Sequence, residues 1–293
     1  MTRQGRAALL FTGPVILGTV LVLLIPTIGA LLLSVTDFDI YALADLRNLR
    51  FVGGGNYAEL FAMPLFWRSV GNTLLFAAIG VPAAIGMSLA AALLLASATV
   101  RWKPLWRLLL FAPYVCTLVA TALVWRYVLD TRTGLLNYAL SLAGVAPVDW
   151  LGDPRTSIPA TLIFIVWKVF GYNMLVFVAA LSTVPRDLHE AARLDGAGAW
   201  SRFRHVVLPA IGPALLLAAV LSVANFLQIF TEPYVMTHGG PAQSTVTILY
   251  FMFNEGFTWW NLGMASAVAV LLFVVILMLT AVQVRVGKRY EWL

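Results

Sequence analysis

Apolar residues along this chain come in long blocks, far longer than the short alternating or amphipathic patterns of a soluble core. A block of about 20 apolar residues can cross the roughly 30 Å hydrocarbon core of a bilayer as a helix. Because a backbone in lipid must satisfy its own hydrogen bonds, each block is predicted to be an α-helix. The predicted spans are residues 7–35, 69–100, 105–125, 157–181, 206–230 and 262–284.

Composition supports this interpretation. The 293 residues are 61% hydrophobic and only 11% charged, whereas soluble domains have about 45–50% apolar and about 25% charged residues. The chain therefore lacks the residues to build a solvated surface. It is predicted to be an all-α integral membrane protein with six transmembrane helices, forming a single domain over residues 1–293.

The orientation of the chain follows from its basic residues. With the N-terminus in the cytoplasm, the inside connections hold twelve Lys and Arg and the outside connections hold six. The positive-inside rule then places both termini in the cytoplasm and the protein in the cytoplasmic membrane. The first span is too long for a cleaved signal peptide and is predicted to be retained. The net charge of +6 is explained by membrane anchoring, so no nucleic acid partner is expected.

The connection between the fourth and fifth predicted spans, residues 185–205, is polar and resembles two short helices around a break. Pro185 suits a first helical turn, and the residues that follow it are mostly good helix formers. Gly196 fits a helix end that needs a positive φ. Ala191 and Ala192 on the apolar side add little affinity for lipid but permit the close approach of another protein. The segment is therefore predicted to be a docking surface rather than a loop lying on the membrane.

This segment resembles the E-A-A-x-x-x-G…I-x-L-P pattern of permease subunits of ABC importers, with Val206 in place of isoleucine. The positions that match the pattern are Glu190, Ala191, Ala192, Gly196, Leu208 and Pro209. Further residues resemble the carbohydrate class of these permeases, the maltose and glycerol-phosphate type. These are Asp195, Phe203, Pro213 and the segment 234–241, where Met236 and Thr237 replace the usual leucine–threonine pair.

The resemblance implies a type I importer permease fold and a division of labour between subunits. Two permeases, usually different chains in this class, form the pathway, and an extracytoplasmic binding protein delivers the cargo. Two ATPase subunits bind ATP and Mg and dock on the matched residues together with Asp195 and Phe203. The chain has no G-x-x-x-x-G-K-[ST] phosphate loop. It is therefore expected to be a non-enzymatic subunit that binds no cofactor itself.

Polar residues within the spans are candidates for the substrate pathway. Lys168 lies deep in the fourth span, where a charge is costly and must face protein or water. It either lines the cavity or pairs with a carbonyl or carboxylate. Amide and aromatic side chains could bind a sugar, although polar residues in membranes also join helices. The predicted pathway residues are Lys168, Tyr172, Asn173, Asn225 and Gln228.

Three other function classes were weighed against the sugar importer. An ion-coupled secondary transporter would need carboxylates within the spans, and an intramembrane enzyme would need a nucleophile–base or metal pattern. The sequence contains neither, and its single cysteine and three scattered histidines predict no metal site. An ABC importer for a peptide, amino acid or anion remains the alternative, since only the class-level resemblance argues against it.

Overall fold

A computed structural model describes residues 3–97, 99–290 and 292, without the side chains of residues 3–10, 46, 186 and 189. Within this part of the chain the secondary structure is helical, apart from an isolated bridge between Thr36 and Phe51. The α-helices are α1 Arg3–Thr19, α2 Ile25–Leu33, α3 Ile40–Ala44, α4 Gly55–Ala62, α5 Pro64–Ala96, α6 Lys103–Val115, α7 Leu118–Val128, α8 Leu135–Leu142, α9 Pro154–Ser182, α10 Arg186–Leu194, α11 Ala199–Arg202, α12 Leu208–Ala210, α13 Gly212–Leu227, α14 Thr231–Met236, α15 Ile248–Phe253 and α16 Leu262–Arg289.

Four helical stretches are continuous, apolar and long enough to cross a bilayer. They coincide with the first, second, fourth and sixth predicted spans. In the first of them, a π-helical turn at Val20–Leu24 joins α1 to α2. The four stretches are Phe11–Leu33, Pro64–Ala96, Pro154–Ser182 and Leu262–Arg289.

The third and fifth spans are broken, and the prediction of one uninterrupted helix for each was wrong. The third consists of α6 and α7, which meet at an angle of 98°, and the fifth bends by 72° between α12 and α13. Pro213 accounts for the second break, since it has no N–H to continue the ladder and its ring crowds the preceding turn. In the third span, Cys116 and Thr117 between the two helices are both extended.

The chain divides into two compact units. The first comprises Met1–Trp67 and Phe251–Val275. In this unit Asp39 caps α3 by accepting hydrogen bonds from the backbone N–H groups of Tyr41 and Ala42, both at 2.9 Å. The amide of Asn56 donates to the carbonyls of Ser34 and Thr36, both at 2.8 Å. The Asp39 bonds satisfy donors at the start of α3, and the Asn56 bonds satisfy carbonyls in the chain that follows α2.

The second unit, Arg68–Tyr250 and Ile276–Leu293, contains the candidate functional residues. Its core is built around α9, whose side chains Phe164, Met174 and Phe177 are fully buried. Phe226 of α13 and Gly80 of α5 meet so closely that a Cβ on Gly80 would lie 1.9 Å from the Phe226 ring. Close helix packing of this kind depends on small residues.

Asn72 and Thr73 of α5 form structural hydrogen bonds within this unit. The amide of Asn72 donates to the carbonyls of Gln243 and Val246, at 3.1 and 2.9 Å. The hydroxyl of Thr73 accepts from the backbone N–H of Ile248 at 2.8 Å. The two residues therefore attach the chain before α15 to α5.

Candidate coupling segment and substrate cavity

The segment at 185–205 has the predicted form of two short helices around a break. Helix α10 begins at Arg186, so Pro185 is the residue before the helix rather than part of its first turn. At the other end, the N–H of Ala197 bonds to the carbonyl of Ala192 at 2.9 Å, and the N–H of Gly196 bonds to Arg193 at 3.0 Å. This pair of bonds is a Schellman motif, which satisfies the last carbonyls of the helix.

Gly196 has the predicted left-handed conformation, with φ at +75°. No atom lies within 4 Å of the position that a Cβ would occupy there. A side chain at this position would therefore be strained by the backbone conformation and not by a neighbour. Glu190, Ala191 and Asp195 are exposed around this helix end, and Ala192 is half-buried.

The end of the segment is firmly attached to the helix bundle. Phe203 begins a π-helical turn, Phe203–Val207, that leads into α12. It packs against a buried cluster of Val184, Val207 and Ile211. Partly buried residues from α5 and α9 complete this contact: Leu89, Leu93, Ala180 and Leu181. Leu208 is half-buried and Pro209 is exposed. Phe203 therefore joins the end of this segment to α5 and α9 through packed side chains.

The five predicted pathway residues lie together. They line two adjoining cavities of about 350 Å³ and about 190 Å³ between α6, α9 and α13. Lys168 and Gln228 line the larger cavity, Tyr172 and Asn173 line the smaller, and Asn225 lines both. Residues from α9 and from the end of α13, about 50 residues apart in sequence, thus line the same pair of cavities.

The two amide residues of the fifth span differ from the others in exposure. Asn225 and Gln228 are both exposed, and they lie three residues apart near the end of α13, where Gln228 is the C-cap. Side chains three apart share a helix face. Their amides therefore offer donors and acceptors to the cavity.

Tyr172 and Asn173 are tied more closely to neighbouring helices. The ring of Tyr172 stacks on Tyr114 of α6, with 5.0 Å between ring centroids. The amide of Asn173 donates to the hydroxyl of Ser222 on α13 at 3.1 Å, and both residues are buried. Asn173 therefore joins α9 to α13 as well as bordering the cavity.

Lys168 pairs with backbone carbonyls, one of the two alternatives that the sequence left open. Its ammonium group donates to the carbonyls of Pro113 and Cys116, and it lies 3.4 Å from that of Tyr114. These acceptors surround the break between α6 and α7. The side chain is only 6% exposed.

Several cavity residues were missed by the sequence analysis. Tyr114, Cys116, Ser222 and Phe226 line the cavities, but nothing in an apolar span distinguishes them from residues that face lipid. Glu232 also borders the larger cavity.

A helical bundle with two broken spans, a cavity beside the break of the third span and a short helix displayed between two spans has the features of a membrane transport subunit. Half-helices that end at a cavity are a recurrent feature of transporters. Comparisons with known proteins identify the class. The model of the family "Binding-protein-dependent transport system inner membrane component" matches residues 14–292.

Characterised relatives include permeases named for carbohydrate transport. The chain is 31% identical over 289 residues to the trehalose/maltose transport system permease protein MalF of Thermococcus litoralis, covering 98% of this chain and 95% of that one. It is 34% identical over 253 residues to the sulfoquinovosyl glycerol transport system permease protein SmoG of Agrobacterium fabrum, covering 86% and 81%. It is 32% identical over 241 residues to the probable ABC transporter permease protein YurN of Bacillus subtilis, covering 81% and 82%.

The fold also matches a solved transporter. A chain of a bacterial ABC transporter involved in the import of the acidic polysaccharide alginate superposes with a TM-score of 0.80 at 22% identity, covering 97% of this chain and 96% of that one. The chain therefore belongs to the binding-protein-dependent transport system inner membrane component family. It is a multi-pass membrane permease with the type I ABC importer fold.

Proposed function

We propose that the chain is the transmembrane subunit of an ATP-driven importer that carries a sugar or sugar derivative. The observation that carries this proposal is the cavity between α6, α9 and α13, where the exposed amides of Asn225 and Gln228 stand beside aromatic rings. Sugars need directional hydrogen bonds together with apolar surfaces for their C–H faces. The carbohydrate cargoes in the names of the relatives support the same class.

The energy for transport would come from other subunits. Two ATPase subunits, which hold ATP and Mg, would dock on residues 185–205 from the cytoplasm, with both termini of the chain on that side. A second permease would complete the pathway, and an extracytoplasmic binding protein would deliver the sugar. The attachment of Phe203 to α5 and α9 supports rigid-body transmission of the nucleotide-driven motion.

The test of this proposal is ATP hydrolysis by the reconstituted complex with its binding protein and a panel of cargoes. We expect stimulation by a sugar or sugar derivative. Stimulation only by amino acids, peptides or inorganic anions would contradict the carbohydrate assignment while leaving the importer fold intact.

The cavity assignment has its own test. Asn225→Ala and Gln228→Ala should each reduce uptake several-fold, because a lost hydrogen bond costs about 0.5–1.5 kcal/mol. Assembly of the complex and basal ATP hydrolysis should be unchanged, since residues 185–205 are untouched. Normal uptake in both variants would show that the two amides are structural.

A further inference from the structure

We propose that Lys168 is a positioning residue that stabilises the break of the third span, and that it makes no contact with the cargo. The inference deepens the proposed function, since it assigns a role to one residue of the proposed pathway. It rests on three features of α9: the hydrogen bonds of Lys168, the closeness of Gly171 to α6 and the stacking of Tyr172 on Tyr114.

The break exposes backbone groups that need partners. Helix α6 ends at Val115, and Cys116 and Thr117 are extended before α7 begins. The last carbonyls of a helix have no donors within it, and they carry the negative end of the helix dipole. Within a membrane such groups must be satisfied by protein or by water in a cavity. A cation at this helix end is therefore favourable.

Lys168 supplies that cation, and all three of its N–H donors have carbonyl acceptors nearby. An ammonium group has three N–H donors and no acceptor, and three carbonyls surround this one, those of Pro113, Tyr114 and Cys116. The side chain is 6% exposed. No donor is left over for a sugar hydroxyl or for an anionic group on the cargo.

The same turn of α9 makes two further contacts with α6. Lys168, Gly171 and Tyr172 are spaced at i, i+3 and i+4, so they share one helix face. A Cβ on Gly171 would lie 2.2 Å from the carbonyl oxygen of Leu110, so only glycine allows the helices to pass this closely. One turn of α9 thus holds the end of α6, and it sets where Tyr114 and Cys116 meet the cavity.

The native thiol of Cys116 reports on this geometry. Cys116 is the single cysteine of the chain, it is exposed, and its own carbonyl accepts a hydrogen bond from Lys168. The rate at which a small maleimide labels this thiol can be measured in proteoliposomes of the whole complex without cargo or nucleotide, provided that the partner subunits are free of cysteine.

We expect Lys168→Met to change the labelling rate of Cys116 on the order of tenfold. Without Lys168 the carbonyls at the break lose their donors, which shifts the equilibrium between the observed break and other conformations of the third span by that factor or more. Uptake should fall for every cargo of the panel. Lys168→Arg retains the charge and N–H donors at this position, so the labelling rate should stay within about threefold of the original. Gln228→Ala, a matched cavity variant, should lower uptake without altering the labelling rate.

A second variant covers the case in which Lys168→Met does not accumulate in the membrane. Lys168→Gln retains two N–H donors without the charge, and it should give an intermediate labelling rate. If Lys168→Met and Lys168→Gln both label Cys116 at the original rate, Lys168 does not hold the break and the inference is overturned. If uptake is lost only for anionic cargo, Lys168 contacts cargo and the inference is likewise overturned. Because labelling is measured without cargo, the labelling result is independent of whether the transported molecule is a sugar.

Discussion

Replacement of Gly196 by valine tests the proposed docking role most sharply, because the structure shows a single physical cause for the effect of this substitution. The residue has φ at +75°, and nothing lies within 4 Å of its missing Cβ. The whole penalty therefore comes from the left-handed backbone. Residues with a side chain pay about 1–2 kcal/mol for this conformation, and a β-branched residue lies toward the upper part of a range of about 1–3 kcal/mol.

A penalty of about 2 kcal/mol corresponds to roughly a 30-fold shift away from the native turn, since each 1.4 kcal/mol is a factor of ten. The turn closed by the Schellman bonds of Ala197 and Gly196 would then be disfavoured by about this factor, and the end of α10 would be held less firmly. We expect ATP hydrolysis stimulated by the loaded binding protein to fall tenfold or more, about in proportion to this shift.

Two matched controls separate strain from position. Gly144 has φ at +74°, has open space around its missing Cβ and ends α8 with the same pair of bonds, from Gly144 to Ser141 and from Val145 to Leu140. Gly144→Val therefore carries the same strain far from the coupling segment and should leave stimulation nearly normal. Gly198→Val places the same side chain in the segment at φ −66°, where no strain arises.

The assay uses purified complex in proteoliposomes, with basal and stimulated ATP hydrolysis and co-purification of the ATPase subunits measured together. Glu190→Ala, which removes an exposed carboxylate from α10, should weaken association or stimulation in the same assay. Normal uptake and normal stimulation in the Gly196→Val, Glu190→Ala double variant would refute the coupling role. A loss in Gly144→Val equal to that in Gly196→Val would show that the effect is general destabilisation.

Two further predictions concern topology and packing. After the native cysteine is replaced, impermeant reagents should label Gly198→Cys and Ser141→Cys from opposite sides of the membrane. The reason is that the basic residues place these two connections on opposite faces. Labelling from the same side would contradict the six-span topology. Gly80→Ala should reduce the amount of folded permease several-fold, since its Cβ would lie 1.9 Å from the Phe226 ring. Gly86→Ala, which has open space at its Cβ, should accumulate normally. Equal amounts of the two variants in the membrane would refute the packing argument.

Local patterns in the sequence were sufficient for four of the spans and for the form of residues 185–205 as two short helices around a break. Four spans were correctly predicted as continuous helices because a run of apolar residues in lipid has few structures available to it. Gly196 was predictable because a helix end at this position needs a positive φ, which glycine adopts without strain. The resemblance of the residues around Glu190 to ABC importer permeases was confirmed by the match of the family model over residues 14–292.

The breaks and the cavity were decided by tertiary contacts. Pro213 was visible in the sequence, but proline in a membrane helix is often tolerated, so it did not predict a bend of 72°. The carbonyls at the break after α6 accept hydrogen bonds from Lys168, which is 52 residues away from Cys116 along the chain. No local pattern can show that an ammonium group on one helix will satisfy the carbonyls of another.

The difference between Asn173 and Asn225 has the same origin. Both are single amides in apolar helices, and the sequence treated them as the same kind of candidate. In the folded chain Asn173 is buried against Ser222, whereas Asn225 is exposed to both cavities. Local physics determines that a residue lies in a membrane helix, but which side of the helix faces a neighbour depends on packing with residues that are remote in sequence.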